Sequence, residues 1–304
     1  MLATFDSLRR LRPYLGTFVE IAVEGASAAA MEEAVKAAFA AIRTVHMLMS
    51  FHEEDSDVSR LNQSAFETTV TVHPWTFQVL ETALDLHCHS DGTFDIRIAP
   101  YLQKHGLLPY NFGGPLTPEP LASNRCGIEL ISGQRVRFQD RSTKIDLGGI
   151  AKGFAVDRAI DALLYHGMPS GIVNAGGDLA AFGPRSVPVT ISDPSCRDKV
   201  LAQVYLRNST LASSGPAFDP LRSSNAGICA IVDPKTGEPS STMIGATVRA
   251  PSCLLADALT KVVMIGGESS LSVLRHFDAS ALAMSAEGEV YSTPEWDNGA
   301  VLAA

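Results

Sequence analysis

The run Lys144-Ile145-Asp146-Leu147-Gly148-Gly149-Ile150-Ala151-Lys152-Gly153 carries the densest chemical signal in the sequence. An apolar strand ends in a carboxylate, two glycines let the backbone pass close to a ligand, and a helix begins with a lysine in its first turn. Amide N–H groups, the positive end of a helix dipole and an ammonium are thereby gathered at one spot, which is what a phosphate or diphosphate requires. Asp146 would then hold a ligand amine or hydroxyl from the opposite side. The same run also reads as a tight strand-to-helix turn in which Gly148 and Gly149 only relieve crowding. It is neither a G-x-G-x-x-G fingerprint nor a P-loop.

Two further constellations bear on the same chemistry. Asn174-Ala175-Gly176-Gly177-Asp178-Leu179 follows the strand that returns from the Lys152 helix. Alone it is a hairpin or bulge, but two glycine turns closing one supersecondary unit can face one ligand. In Ala256-Asp257-Ala258-Leu259-Thr260-Lys261, helical offsets of three and four bring Thr260 and Lys261 onto the face of Asp257. An acid and a hydroxyl one turn apart suit a hard cation such as Mg²⁺; the competing reading is an Asp near a helix start that pairs with Lys261. His87-Cys88-His89 points in different directions on a helix end, His46 and His52 are too far apart to be ligands, and Ser213-Ser214-Gly215 lacks the flanks of a nucleophile elbow.

The elements that must position these residues follow from periodicity. Gly16 to Val23 alternates as a strand, and a helix capped by Ser27 places Met31, Ala34, Val35, Ala38, Phe39, Ile42, Val45 and Met49 at helical spacing. Phe51 to Asn62 reads as a polar loop, and Pro74 opens a helix that Asp91-Gly92 stops. The Pro- and Gly-rich stretch 105–125 reads as a loop or lid. Short strands are expected at 127–131, 135–138 and 144–147, a helix from Ala151 to about His166, strands at 171–174, 187–191, 200–206, 229–232 and 244–249, and helices from Leu254 and Ser269. Strands mostly neighbour strands, which predicts α+β with antiparallel sheets. The domain expectation is a single unit over 1–304, or two intimately packed lobes divided near 105–125.

With 304 residues, 46% hydrophobic and 19% charged, the chain can bury a large core. Its 24 Lys and Arg against 33 Asp and Glu give a net charge of −9, so no sequence-independent grip on nucleic acid or anionic lipid is expected. Five scattered cysteines without a C-x-x-C pair argue against a disulfide framework or a cysteine-built zinc site. No apolar run approaches a membrane span, and no apolar stretch follows Arg9 and Arg10. The expectation is a soluble cytoplasmic protein.

Taken together, these residues resemble the ApbE-type FAD:protein FMN transferases. The similarity runs in order through Leu15 to Ile21, Met49-Ser50 with Asp55 to Asn62, Gly92-Thr93-Phe94-Asp95, Asp146 to Gly153, Asn174 to Leu179, Asp233-Pro234-Lys235-Thr236-Gly237 and Ala256-Asp257-Ala258. The resemblance implies a T-fold-like architecture and an enzyme that splits FAD at its pyrophosphate, attaching FMN to a Thr or Ser of a partner flavoprotein and releasing AMP. It implies FAD contacts at Asp146, Lys152, Thr93, Phe94 and Asp95, beside Leu15, His52 and the Gly176-Gly177 turn. Mg²⁺ would be held by the Gly149 main-chain oxygen and the Asp257 carboxylate, with Thr260 as a further ligand, and Asp257 and Lys152 form the catalytic pair.

Several positions depart from the family pattern. Leu15 stands for the usual Met and His52 for the usual Tyr, both beside the flavin. Ala230 replaces a His that would help activate the acceptor hydroxyl, and Pro216 replaces an Asp after the Ser-Gly turn. Lys261 falls where the metal-binding Thr belongs, next to Thr260. Either Thr260 takes the metal and Lys261 points away, or the ammonium occupies the metal's place. Loss of transfer, leaving a flavin-binding protein, and FAD pyrophosphatase activity are the competing functions.

Overall fold

The chain opens with a hairpin whose turn, Leu15-Gly16, has both residues at positive φ (56° and 69°), as a tight two-residue connection requires. It joins β1 (Asp6–Tyr14) to β2 (Thr17–Gly25) in unbroken register. The computed structural model describes residues 6–25, 27–110, 126–215, 231–297 and 300–302. After the hairpin come α1 (Ala28–Met49), α2 (Asp57–Ser64), β3 (Val70–Thr71), α3 (Pro74–His89) and α4 (Ala99–Lys104). Next are β4 (Ile128–Ile131), β5 (Arg135–Phe138), α5 (Ala151–Tyr165), β6 (Ser170–Ala175), β7 (Asp178–Phe182), β8 (Val187–Asp193), β9 (Cys196–Leu206) and β10 (Ser209–Ser214). The chain continues through β11 (Met243–Arg249), α6 (Cys253–Gly266), α7 (Leu271–His276), β12 (Ser280–Ser285), β13 (Val290–Ser292) and β14 (Ala300–Leu302).

An eight-stranded sheet runs β1-β2-β6-β7-β10-β11-β12-β13, antiparallel at every pairing. Two three-stranded sheets, β14-β9-β8 and β3-β5-β4, flank it. The fold is therefore α+β, as the clustering of strands predicts. α1 buries the residues its spacing selects, from Met31 to Met49, and α5 packs beside it. The β2 face, α1, α3, α5 and α6 share one apolar cluster.

Several elements differ from expectation. Lys144–Leu147 is not a strand: the Asn62 side chain donates to Ile145 O (2.9 Å) and accepts from Ile145 N (2.7 Å), and Asp146 N donates to Ile96 O (2.8 Å). One buried amide thus does the work of a partner strand. The expected loop Phe51 to Asn62 contains the start of α2, whose Asp57-Val58-Ser59-Arg60 opening has no apolar stripe; Ser56 Oγ caps it from Ser59 N (3.0 Å). β10 and β12, written Ser-Thr-Leu-Ala-Ser-Ser and Ser-Ala-Leu-Ala-Met-Ser, lack β-branched density and form strands because neighbours on both sides supply their ladders. Of the expected strand 229–232, Val232 makes a single bridge to Pro239, and its first two residues lie outside the described ones. So do Pro216, Ala230 and most of the 105–125 segment. No helix among the described residues is long and apolar enough to cross a membrane.

The Asn62 clamp yields a first prediction. Asn62→Ala strands a buried N–H and a buried C=O on Ile145, and should cost roughly 2–3 kcal/mol in urea denaturation while loosening the backbone that carries Asp146.

Candidate functional site

A hollow of about 370 Å³ opens where the β1–β2 turn, the segment after α3, the start of α5 and the side of α6 meet. Leu15, Thr93, Phe94, Asp95, Asp146, Gly149, Lys152 and Gly176 all line it, and Lys261 joins them. Apolar walls come from Ile98, Leu102, Leu107 and Leu108 on one side and Ile231, Val232 and Ile265 on another. A cavity this size, largely apolar with charged and polar groups in its lining, suits an organic ligand carrying a charged part.

Each lining residue has a local cause. Phe94 N donates to Ser90 Oγ (2.9 Å), fixing the turn after α3 that presents Thr93 and Phe94. Asp146 Oδ2 accepts from Gly148 N (2.9 Å), which shapes the diglycine bend. Burial pushes the Asp146 carboxyl above its ordinary range, against the pull of that N–H, His52 and Lys152. At the β6–β7 turn, Asn174 Oδ1 accepts from Gly177 N (2.9 Å), and a Cβ at Gly176 (φ +66°) would fall 2.5 Å from Thr17 Oγ1, so the bend needs glycine.

The charged end is a network of two acids and two lysines. Lys152 Nζ donates to Asp178 Oδ2 (2.6 Å) and reaches Asp257 Oδ1 (3.5 Å). Lys261 Nζ donates to the same Asp257 Oδ1 and to Asp257 O (2.9 Å). Asp257 Oδ2 accepts from Gly153 N (3.0 Å), so this α6 carboxylate caps the start of α5, whose N-cap residue Ile150 offers no side-chain bond. Burial works to raise the Asp257 pKa, but Lys152 and Lys261 overcome it and hold the group below the usual carboxylate range. Burial likewise works against charge on Lys152, and Asp178 with Asp257 reverse the sign and lift its pKa. Asp178 is pushed up to about 6, first by burial and then by Asp257. Asp178 was not singled out from the sequence as a site residue, although it closes the Gly176-Gly177 turn. The signal was there: a carboxylate directly after a glycine turn facing a lysine helix needs a cation.

Of the remaining expected residues, His52, Gly177, Asp257 and Thr260 do not line the hollow, whereas Asp95 does. His52 is exposed and does not line the hollow. Gly177 ties β10 to the turn through Ser213 N (3.1 Å). Asp257 and Thr260 are wholly buried behind the two lysines, and Thr260 Oγ1 bonds Asp257 O (2.6 Å) and Ser214 Oγ (2.7 Å). Asp95 lines the hollow, but both its oxygens are engaged by Arg97 (Oδ2–Nη2, 2.6 Å), with His87 Nδ1 at 3.4 Å. Burial tends to raise the Asp95 pKa; His87 and Arg97 bring it below 3.8. A group held low in the folded state contributes stability in full above its unfolded pKa and loses it as the pH falls through the folded one. Asp95→Asn should therefore cost roughly 3–5 kcal/mol at neutral pH. Its deficit against the unaltered protein should shrink as urea titrations are carried to pH values below 3.8.

Known proteins are similar to this chain over most of its length. The ApbE family model covers residues 15–283. The chain belongs to the ApbE family. It is 27% identical to an FAD:protein FMN transferase of Treponema pallidum over 86% of this chain and 80% of that one, and 28% identical to one of Vibrio cholerae over 75% and 71%. The ApbE protein of Thermotoga maritima superposes with a TM-score of 0.83 at 25% identity, covering 96% of this chain and 98% of that one. The Vibrio cholerae flavin transferase ApbE shares the fold, with a TM-score of 0.80 at 21% identity.

Mg²⁺, expected from this family at Gly149, Asp257 and Thr260, does not fit the residues as they stand. A hard cation needs several open oxygens. Asp257 Oδ1 is taken by two ammoniums and Oδ2 by an amide, while the Thr260 hydroxyl is bonded on both sides. A Cβ built on Gly149 would lie 3.6 Å from Lys261 Cε, so the lysine chain runs beside the main chain that was to supply the other ligand. Asp178 Oδ1 is without a hydrogen-bond partner, but Asp178 is 1% exposed and does not line the hollow. Among the described residues no group of three or more His, Cys, Asp and Glu is placed to hold a metal ion.

Proposed function

We propose that this protein transfers the FMN half of FAD to a Thr or Ser hydroxyl of a partner flavoprotein and releases AMP. One observation carries the reading: two ammoniums and the diglycine bend meet at a hollow also lined by Phe94, Ile98, Leu102, Leu107, Leu108 and Ile265, which suits a diphosphate attached to a flat ring system. The names of the Treponema and Vibrio relatives support the reaction class.

In this reading the acceptor hydroxyl oxygen attacks the phosphorus on the FMN side. The P–O bond to the other phosphate breaks, AMP leaves with that electron pair, and the hydroxyl proton passes to solvent or to the leaving phosphate. Lys152 and Lys261 hold the diphosphate oxygens and offset the charge that grows on the AMP side. The start of α5 adds its dipole. Asp146, at the diglycine bend, orients a polar edge of the ligand, while Phe94 and the leucines exclude water.

The test is to incubate the protein with FAD and a flavoprotein acceptor carrying a modifiable Thr, then follow AMP by chromatography and covalent flavin by in-gel fluorescence. The expected result is AMP and flavinylated acceptor in equal amounts. AMP with free FMN and no need for an acceptor would make the protein an FAD pyrophosphatase. FAD bound and recovered intact would make it a flavin-binding protein that has lost transfer.

A further inference from the structure

We propose that the Lys261 ammonium serves as a built-in cation for the diphosphate, so that this protein binds FAD without a divalent metal ion. The inference rests on the FAD reading above and deepens it. Lys261 lines the hollow, lies alongside Gly149, and is held by Asp257 O and Oδ1, so it joins the two places that a bridging metal would join.

Donor accounting makes the substitution workable. An ammonium has three N–H donors. Lys261 commits two to Asp257, and Lys152 commits two to Asp178 and Asp257, which leaves each a third for a phosphate oxygen. Lys152 and Lys261 balance Asp178 and Asp257 before any ligand arrives, so a dication entering the same space would meet two like charges, with Asp146 at the diglycine bend as the further carboxylate there. A diphosphate meets the opposite situation: two ammoniums fixed by buried carboxylates at the wall of one hollow, beside the start of a fifteen-residue helix. The geometry is rigid as well. Asp257 and Thr260 are wholly buried, so the hydrogen bonds that aim Lys261 are shielded from water.

Calorimetric titration of FAD into the full-length protein, in EDTA and in millimolar MgCl₂, tests the proposal. The expected affinity is the same in both buffers. In Lys261→Thr, which returns a hydroxyl to the position, affinity in EDTA should fall about tenfold, the loss of one charge-assisted phosphate contact. Mg²⁺ should recover it, a rescue that misfolded protein cannot give. Lys261→Arg, which keeps a cation, should remain indifferent to EDTA. Binding by the unaltered protein that weakens about tenfold or more in EDTA overturns the proposal while leaving the FAD reading intact. So does a Lys261→Thr variant with unaltered affinity in both buffers. Absence of FAD binding in either buffer by the unaltered protein overturns the FAD reading itself, and this inference with it.

Discussion

Gly153→Ala is expected to lose more than about 3 kcal/mol of stability, a large share of what holds a domain folded. A Cβ built there falls 2.2 Å from Cys253 O and 2.6 Å from its carbonyl carbon, with Asp257 Cβ at 2.8 Å. Those atoms belong to the backbone and first turns of α6, so no side-chain rotation relieves the clash. The helices must separate, and the bond from Gly153 N to Asp257 Oδ2 lengthens with them. Asp157, in the same helix, accepts from Cys253 N (2.8 Å) and Leu254 N (2.9 Å), so the displacement also breaks the bonds that start α6. Circular dichroism during urea titration measures the loss. A Gly153→Ala protein that unfolds with the unaltered midpoint would show that α5 and α6 do not lie this close. Gly153→Ser, with an equal Cβ and an added hydroxyl, should be at least as damaging.

Asp257→Ala is expected to cost roughly 3–5 kcal/mol, because it removes the counter-charge from two lysines that are at most partly exposed and strands the Gly153 amide. Buried ion pairs contribute little when intact against apolar substitutes, yet breaking one leaves an uncompensated charge, and here one carboxylate serves two. The double variant Asp257→Ala/Lys261→Ala should therefore lose less than the sum of its single changes, a coupling that equilibrium unfolding of all four proteins reads directly. Additive losses would mean that Lys261 and Asp257 act independently. FAD affinity should fall in Asp257→Ala as well, since Lys261 then keeps only the main-chain oxygen of residue 257 and Lys152 only Asp178 to aim them at the hollow.

The sequence made much of this visible, and the rest was hidden for identifiable reasons. Periodicity located α1 down to its buried face, and the diglycine run, the second glycine turn and the Asp257 helix are indeed neighbours in space. Element type failed where the ladder is supplied from afar. Ser280–Ser285 has the composition of a turn or helix and becomes a strand through β11 and β13, and Lys144–Leu147 looks like a strand but is held by the amide of Asn62. Individual roles failed where a partner is remote in the chain. Asp257 as the cap of α5 depends on a contact across 104 positions, and the pairing of Asp178 with Lys152 on one across 26. Asp95 sits at the hollow as the resemblance implies, but its oxygens are occupied by Arg97, two residues away, a local pairing that the Asp-x-Arg spacing could have signalled.

The cap that Asp257 places on α5 also constrains how the protein is made. During synthesis, the glycine bend and Lys152 leave the ribosome more than a hundred residues before the carboxylate that neutralises and aims them. A nascent chain that ends before Asp257 carries α5 without its cap, and Lys152 with Asp178 as its one carboxylate partner of the two, so the charged end of the hollow is complete only once α6 has been made.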